Sequence, residues 1–332
     1  MLIKQLNKKG WMMFTTSSII VIILALFVMN RGNGGSMEEP YHPFKSQEAK
    51  ETYVAYYDEH AKRWPVASEE KMVKTSFGQT FVRISGPEDG PPLVLLPGDS
   101  ENSLAWIPQV EALSKDYRIY AFDQIFDNGR SIYTRPIEKP DDFVQWLDEL
   151  FIELELENIN LVGFSYGDWQ ASLYALSYPQ RLNKLILIAS IGVLSPRIEV
   201  LVRGILYYFF PTPSMVKNYL YWYNADSIKD KKSKAVIDNM VTETLLSFES
   251  FKRRKFVPPT VLTYKDWQNL KVPTLFLVGE NEVTYSAKKA IEHLNEVAPK
   301  VKTAITPDAG HDLAIVKTEW VNNEVLKFLT NQ

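Results

Sequence analysis

Five short apolar runs, at residues 93–96, 117–122, 159–164, 184–189 and 274–278, punctuate the chain. Each is four to six residues long and rich in Val, Ile, Leu or Phe. None shows the apolar–polar alternation of a strand with one wet face, so each reads as a strand buried on both sides. Stretches with a helical repeat, such as residues 141–154 and 287–297, follow several of them. Strands of this kind alternating with helices predict an α/β architecture, a mostly parallel central sheet with helices on both faces. Ahead of them, residues 45–62 read as an amphipathic helix with Tyr53, Tyr56 and Tyr57 as anchors. Residues 71–77 and 80–85 flank Gly78-Gln79 as a candidate hairpin.

Composition narrows the function classes. The 332 residues suffice for a sizeable core, and 45% hydrophobic with 23% charged is globular composition. Lys plus Arg is 37 against 40 for Asp plus Glu, without the basic excess of a nucleic-acid binder. Cysteine is absent, which excludes disulfides, thiolate zinc sites and a cysteine nucleophile.

The amino terminus stands apart. Residues 11–29 carry no charged side chain, and as a helix they would span about 28 Å, close to the thickness of bilayer hydrocarbon. Lys4, Lys8 and Lys9 precede the run, which keeps the amino terminus in the cytoplasm and sends the remainder across. Thr15, Thr16, Ser17 and Ser18 interrupt its first half, so a signal peptide competes with an uncleaved signal anchor. Either reading puts the working domain outside the cytoplasmic membrane. Removing the four cations of residues 1–36 takes the net charge from −3 to −7, an acidic remainder. The Gly-rich stretch 31–36 reads as a linker. The expected organisation is residues 1–36 as stub, anchor and linker, residues 37–191 and 270–332 as the core, and residues 192–269 as an inserted helical lid.

That insertion is read from a gap of some 80 residues without a sheet strand between the runs at 184–189 and 274–278. Eight aromatic residues crowd positions 207–223, serving to pack the lid on the body, to line an apolar substrate pocket, or both. The basic runs 229–234 and 252–255 read as solvated helix faces, with contact to anionic lipid headgroups as the sharper alternative.

The chemistry lies in a few loops. Residues 159–167 run as a strand into Gly163-Phe164-Ser165-Tyr166-Gly167, followed by a helical segment. A tight strand-to-helix turn with flanking glycines projects Ser165 at the carboxyl edge of the sheet, at a helix amino terminus that favours a developing anion. A serine nucleophile needs a base, and His42, His60 and His293 sit near the linker or in polar stretches. His311 lies on the Gly-bearing loop 307–312 after the apparent last strand and is the candidate base. Two carboxylates follow the strand at 274–278; Glu282 is the preferred orienting acid and Glu280 the runner-up. Asp312 reads as a residue that fixes its own loop. The loop after Leu95-Leu96-Pro97-Gly98-Asp99 offers the Asp99 amide, and the Tyr166 amide follows the nucleophile; together they form a candidate oxyanion hole.

With these motifs in the order Ser165, Glu282, His311, the chain from residue 71 to 329 resembles the α/β-hydrolase superfamily, most closely its bacterial lid-bearing esterase and lipase-like members. The resemblance rests on Leu-Leu-Pro-Gly-Asp (95–99), Phe-Asp…Asn-Gly-Arg-Ser (122–131), Gly-Phe-Ser-Tyr-Gly (163–167) and Gly-Glu-Asn-Glu…Gly-His-Asp (279–282, 310–312). It implies Ser165 as nucleophile, His311 as general base and acid, Glu282 as orienting acid, and no metal or organic cofactor. Asp123 and Ser131 match a loop that shapes the sheet edge. Three positions depart from the family pattern. Pro97 stands where His precedes the glycine, Asp99 puts a carboxylate beside the hole, and Asp168 follows the elbow where a small residue is common.

Ser rather than Asp at the elbow points to an acyl-enzyme route. The leading expectation is a carboxylic-ester hydrolase for an apolar acyl substrate, tethered to a membrane by its amino-terminal segment. Other chemistry of the same triad (C–C bond, thioester or amide cleavage, acyl transfer) and a non-catalytic ligand-binding protein on the same fold are the alternatives.

Overall fold

The structure is a computed structural model and describes residues 43–330. The apolar run at 11–29, the linker, His42 and the boundary at residue 36 lie outside the described residues. Among the described residues, no helix is long and apolar enough to cross a membrane.

Helix α1 (Gln47–Ala61) starts where the Ser46 hydroxyl accepts the Ala49 amide at 3.1 Å. It buries Tyr53 and Tyr57, while Tyr56 stays half-buried. Strands β1 (Ser68–Thr75) and β2 (Gly78–Ser85) form a hairpin whose turn is Ser76-Phe77, not Gly78-Gln79. Gly78 is needed inside the strand instead. Its φ is +135°, and a Cβ there would lie 2.2 Å from the Ile132 carbonyl oxygen of the paired strand β5 (Ile132–Tyr133).

The five apolar runs become β3 (Pro92–Leu96), β4 (Arg118–Phe122), β6 (Ile159–Phe164), β7 (Leu182–Ile188) and β8 (Thr274–Gly279). With β9 (Lys302–Thr306) they form the parallel part of a nine-stranded sheet ordered β1-β2-β4-β3-β6-β7-β8-β9, with β5 beside β2. Successive side chains split between two cores. Val94, Leu96, Leu185 and Leu187 join Phe143, Trp146 and Leu150 of α3 (Pro140–Glu153), Trp169 of α4 (Tyr166–Ser177) and Leu294 of α9 (Ala287–Val297). Leu93, Leu95, Ile186 and Ile188 join Val110 of α2 (Ile107–Leu113) and Val321, Val325 and Phe328 of α10 (Thr318–Thr330). Each such side chain removed from water contributes about 2 kcal/mol, which is why the runs are apolar throughout. Strand β9 escapes that pattern because it is an edge strand, largely open to solvent.

Between β7 and β8 the chain makes α5 (Ile198–Phe209), α6 (Pro213–Tyr223), a 3-10 turn (Ser227–Lys229), α7 (Lys231–Ser250), an extended stretch 251–263, and α8 (Tyr264–Asn269). The reading of residues 252–255 as a helix face is corrected: they follow the end of α7 in extended backbone. Thr212, Asp230 and Thr263 each accept an amide of the first turn of α6, α7 and α8, so each start is locally encoded.

Two features place the site. Strand β4, next in sequence after β3, lies on one side of it, and β6 lies on the other with Leu96 beside Gly163. The crevice outside the carboxyl ends of strands at such a switch point is where open α/β sheets bind ligands. The second feature is Asp123, fully buried just beyond β4. Its carboxylate accepts the Ser103 amide at 2.9 Å, the Arg130 amide at 2.8 Å and the Tyr57 hydroxyl at 3.1 Å. Ser131 Oγ donates to the Asp123 carbonyl at 2.6 Å and accepts the Phe81 amide at 2.8 Å. Asp123→Ala should therefore cost about 3 kcal/mol in urea unfolding, because two amides and a phenol lose their acceptor in a dry site, against about 1 kcal/mol for Ser131→Ala. Equal midpoints for Asp123→Ala and wild type would show that the carboxylate is not what ties this edge together.

Candidate active site

The turn from β6 into α4 forces Ser165 to φ +52° and ψ −111°, outside the regions a side chain ordinarily adopts. Its amide donates to the Ile188 carbonyl at 2.9 Å, and its carbonyl accepts the Asp168 amide at 3.2 Å, so both ends of the turn are pinned. The flanking glycines are steric requirements. A Cβ at Gly163 would lie 2.3 Å from the Asp168 Cα, and one at Gly167 2.3 Å from the Pro97 carbonyl oxygen.

The loop after β9 brings His311 over this serine, with Nε2 2.9 Å from Ser165 Oγ. On the other side of the ring, Nδ1 lies 3.0 and 3.1 Å from the two carboxylate oxygens of Glu282, in the loop after β8. A carboxylate only accepts, so Nδ1 carries the proton and Nε2 is left to accept from the serine hydroxyl. Ser165, His311 and Glu282 are all buried, at 9%, 3% and 2% exposure, so little water competes for these bonds. Glu280 is exposed, and its amide donates to the Thr306 carbonyl at 2.9 Å. Asp312 accepts the Gly310 amide at 3.2 Å within its own loop and the Ser227 amide of the 3-10 turn at 2.6 Å. His60 and His293 are half-buried and lie elsewhere; His60 Nδ1 meets the Tyr56 carbonyl.

Burial alone would raise the Glu282 carboxyl pKa, but the facing imidazole and the Thr284 amide outweigh it and hold Glu282 below the ordinary carboxylate value. Burial alone would lower His311, but Glu282 more than compensates, and the imidazole sits above its ordinary 6.5. The Glu282 carboxylate thus favours the protonated form of the His311 ring.

The loop after β3 lies beside this group. Neither the Asp99 nor the Tyr166 amide has an acceptor among the described residues. The loop is held from several sides: Gln124 Nε2 donates to the Pro97 carbonyl at 2.6 Å, Gly98 donates to Glu101 at 2.9 Å, and Ser100 donates to Asp127 at 2.8 Å. Glu101 is pushed up to about 7 by burial, which its bond from the Gly98 amide only partly offsets. Tyr223 and Phe164 flank the His311 ring at centroid distances of 4.5 and 5.3 Å. Tyr219 stacks on Tyr223 at 5.6 Å and on Tyr207 at 4.5 Å, so the aromatic cluster of the insertion continues to the imidazole.

A family profile described as the alpha/beta hydrolase fold matches residues 91–318. The chain belongs to the α/β-hydrolase fold family. It is similar to carboxylesterase YbfK of Bacillus subtilis, 29% identical over 292 residues that cover 86% of this chain and 96% of the relative. An uncharacterised carboxylesterase of that organism, nap, is 29% identical over 83% of this chain and 91% of its own. Among solved structures, carboxylesterase CesB (YbfK) from B. subtilis superposes with a TM-score of 0.77 at 29% identity, covering 85% of this chain and 99% of that one. Naproxen esterase from B. subtilis superposes with a TM-score of 0.79 at 27% identity, covering 86% and 100%.

The three departures from the α/β-hydrolase pattern each have a local account. Pro97 is held by Gln124, which donates to its carbonyl and in turn accepts from Gln170 of α4 at 2.7 Å. The Asp168 side chain is fully buried, and Ser190 Oγ donates to it at 3.0 Å. Asp99 is not a free anion, because Arg254 pairs with it. Sequence reasoning did not single out Arg254, Glu101, Gln124 or Asp127. The signal available was that Asp127 lies inside the 122–131 motif and that Arg254 belongs to the basic run after α7.

For ester hydrolysis by this group, kcat/KM should rise with pH along a limb centred above 6.5, since only neutral His311 accepts the serine proton. In Glu282→Gln the charge that raises His311 is gone while burial remains, so residual activity should show that limb shifted to lower pH. Glu280→Gln should leave it in place. A pH–rate profile of the three proteins tests this, and a limb moved by Glu280→Gln instead would reassign the acid.

Proposed function

We propose that this α/β hydrolase cleaves carboxylic esters of apolar acyl groups through an acyl-enzyme on Ser165. The observation that carries the reading is the unbroken relay from Ser165 Oγ through His311 to Glu282 at 2.9 and 3.0 Å. Ser165 Oγ adds to the ester carbonyl as His311 Nε2 takes its proton, and Glu282 holds the imidazolium. The carbonyl oxygen becomes an oxyanion facing the Asp99 and Tyr166 amides. The intermediate collapses, the C–O bond to the alcohol breaks, and His311 returns the proton to that leaving oxygen. Water, deprotonated by His311, then adds to the acyl-enzyme, and Ser165 leaves with the proton as the acid departs.

Helices of the insertion serve in this reading as a lid, with Tyr223, Tyr219 and Tyr207 walling the acyl side. The carboxylesterases that match over most of the chain support the ester class, and the naproxen esterase among them is consistent with a bulky aromatic acid. The charge-free run at 11–29 and the lysines before it support a membrane tether with the domain on the extracytoplasmic side.

The test uses the full-length protein, a fluorophosphonate probe and a series of p-nitrophenyl esters with linear and aryl acyl groups. Wild type should be labelled and active, with Ser165→Ala and His311→Ala unlabelled. Ser165→Ala should lose about 10⁶-fold in turnover, by the measure of comparable triads. Hydrolysis that survives in Ser165→Ala at near wild-type rate would remove the mechanism.

A further inference from the structure

Arg254 lies in the extended stretch after α7, about 90 residues in sequence from the elbow, yet its side chain is only 17% exposed and points into the body. Its guanidinium pairs with Asp99 Oδ1, sits 3.2 Å from Asp127 Oδ2, and lies over the Phe126 ring at 4.9 Å. Burial opposes the charge on Arg254, but the two carboxylates outweigh it and keep the group a cation. The same Asp127 oxygen accepts the Ser100 amide at 2.8 Å, and Asn128 Nδ2 donates to the Ser100 carbonyl at 3.3 Å. Ser100 itself holds φ +61°, a left-handed conformation that a side chain adopts only when its surroundings impose it. One cation thus ties together Asp127, which accepts the amide of strained Ser100, and Asp99, whose own amide is the candidate oxyanion donor.

We infer that Arg254 is a positioning residue of the inserted region: by clamping Asp99 and Asp127 it sets the direction of the Asp99 amide and so couples the insertion to transition-state stabilisation. The inference rests on the Ser165 acyl-enzyme reading. It differs from a purely structural pairing in its consequence. A bond that only holds the insertion on the body changes stability, whereas a bond that aims an oxyanion donor changes kcat and transition-state affinity with little effect on ground-state binding.

The experiment is steady-state hydrolysis of a neutral p-nitrophenyl ester, with inhibition by a trifluoromethyl ketone as the transition-state readout. Thermal melts of each full-length variant accompany both. Arg254→Ala should lower kcat by about tenfold to a hundredfold, less than outright loss of an oxyanion donor, with KM within about threefold. Ketone affinity should fall in step with kcat/KM. Asp99→Asn keeps the amide but loses the ion pair and should reproduce the defect. The double variant Arg254→Ala/Asp99→Asn should be no worse than either single one. Arg254→Lys should recover part of the rate. Arg253→Ala removes a neighbouring exposed cation and should match wild type. If Arg254→Ala does not fold, Asp99→Asn and Arg254→Lys decide the matter. Wild-type kcat in Asp99→Asn, or a loss confined to melting temperature, overturns the inference while Ser165→Ala remains dead. An inactive wild type, or an active Ser165→Ala, instead overturns the reading beneath it and this inference with it.

Discussion

The site depends on a strained serine. Ser165 holds a positive φ because β6 must stop and α4 must start within one residue, and both neighbours on that turn are glycines with no room for a Cβ. The strain is sustained by the sheet. The Ser165 amide continues the ladder to β7 at 2.9 Å, and the start of α4 packs against the carboxyl end of β3 so closely that Gly167 nearly touches the Pro97 carbonyl. The hydroxyl therefore projects at the point where strand order reverses, and the loops after β3, β8 and β9 are the ones that can reach it.

Around the turn, negative charge is placed deliberately close to one imidazole. Burial raises the cost of every charge here, and each carboxylate has specific partners: Glu282 has His311 and the Thr284 amide, which outweigh its burial, Asp127 and Asp99 have Arg254, and Asp123 has two amides and Tyr57, although burial still raises Asp123 and Asp127. Glu101, with the Gly98 amide as its bond, is displaced toward neutrality, as are Asp127 and the more deeply buried Asp168.

The helices between β7 and β8 are bound into this network and do not merely rest on it. Glu243 of α7 accepts from Tyr53 of α1 at 2.9 Å and from Asn102 at 2.6 Å. Asp312, beside His311, accepts the Ser227 amide, and the Tyr166 hydroxyl donates to the Val257 carbonyl at 2.6 Å. Each contact joins the insertion to a residue next to a site loop.

The sequence by itself determined the sheet, because a strand buried on both faces must be apolar at every position, and that pattern needs no partner to be read. It also determined which residue types could do chemistry: one serine in a strand-to-helix turn, and one histidine on a loop at the end of the sheet. It blurred where local and tertiary demands conflict. Gly78 carries a turn signal but serves the close pairing with β5, and the polar edge strand β9 lacks the apolar pattern of its neighbours. Tertiary structure decided the rest. Glu282 and Glu280 are equivalent as letters two positions apart; the end of β8 buries one against His311 and turns the other to solvent. Arg254 reads as one cation in a surface run, and only folding brings it to Asp99 and Asp127, because an ion pair between residues more than a hundred positions apart leaves no periodic trace in the chain.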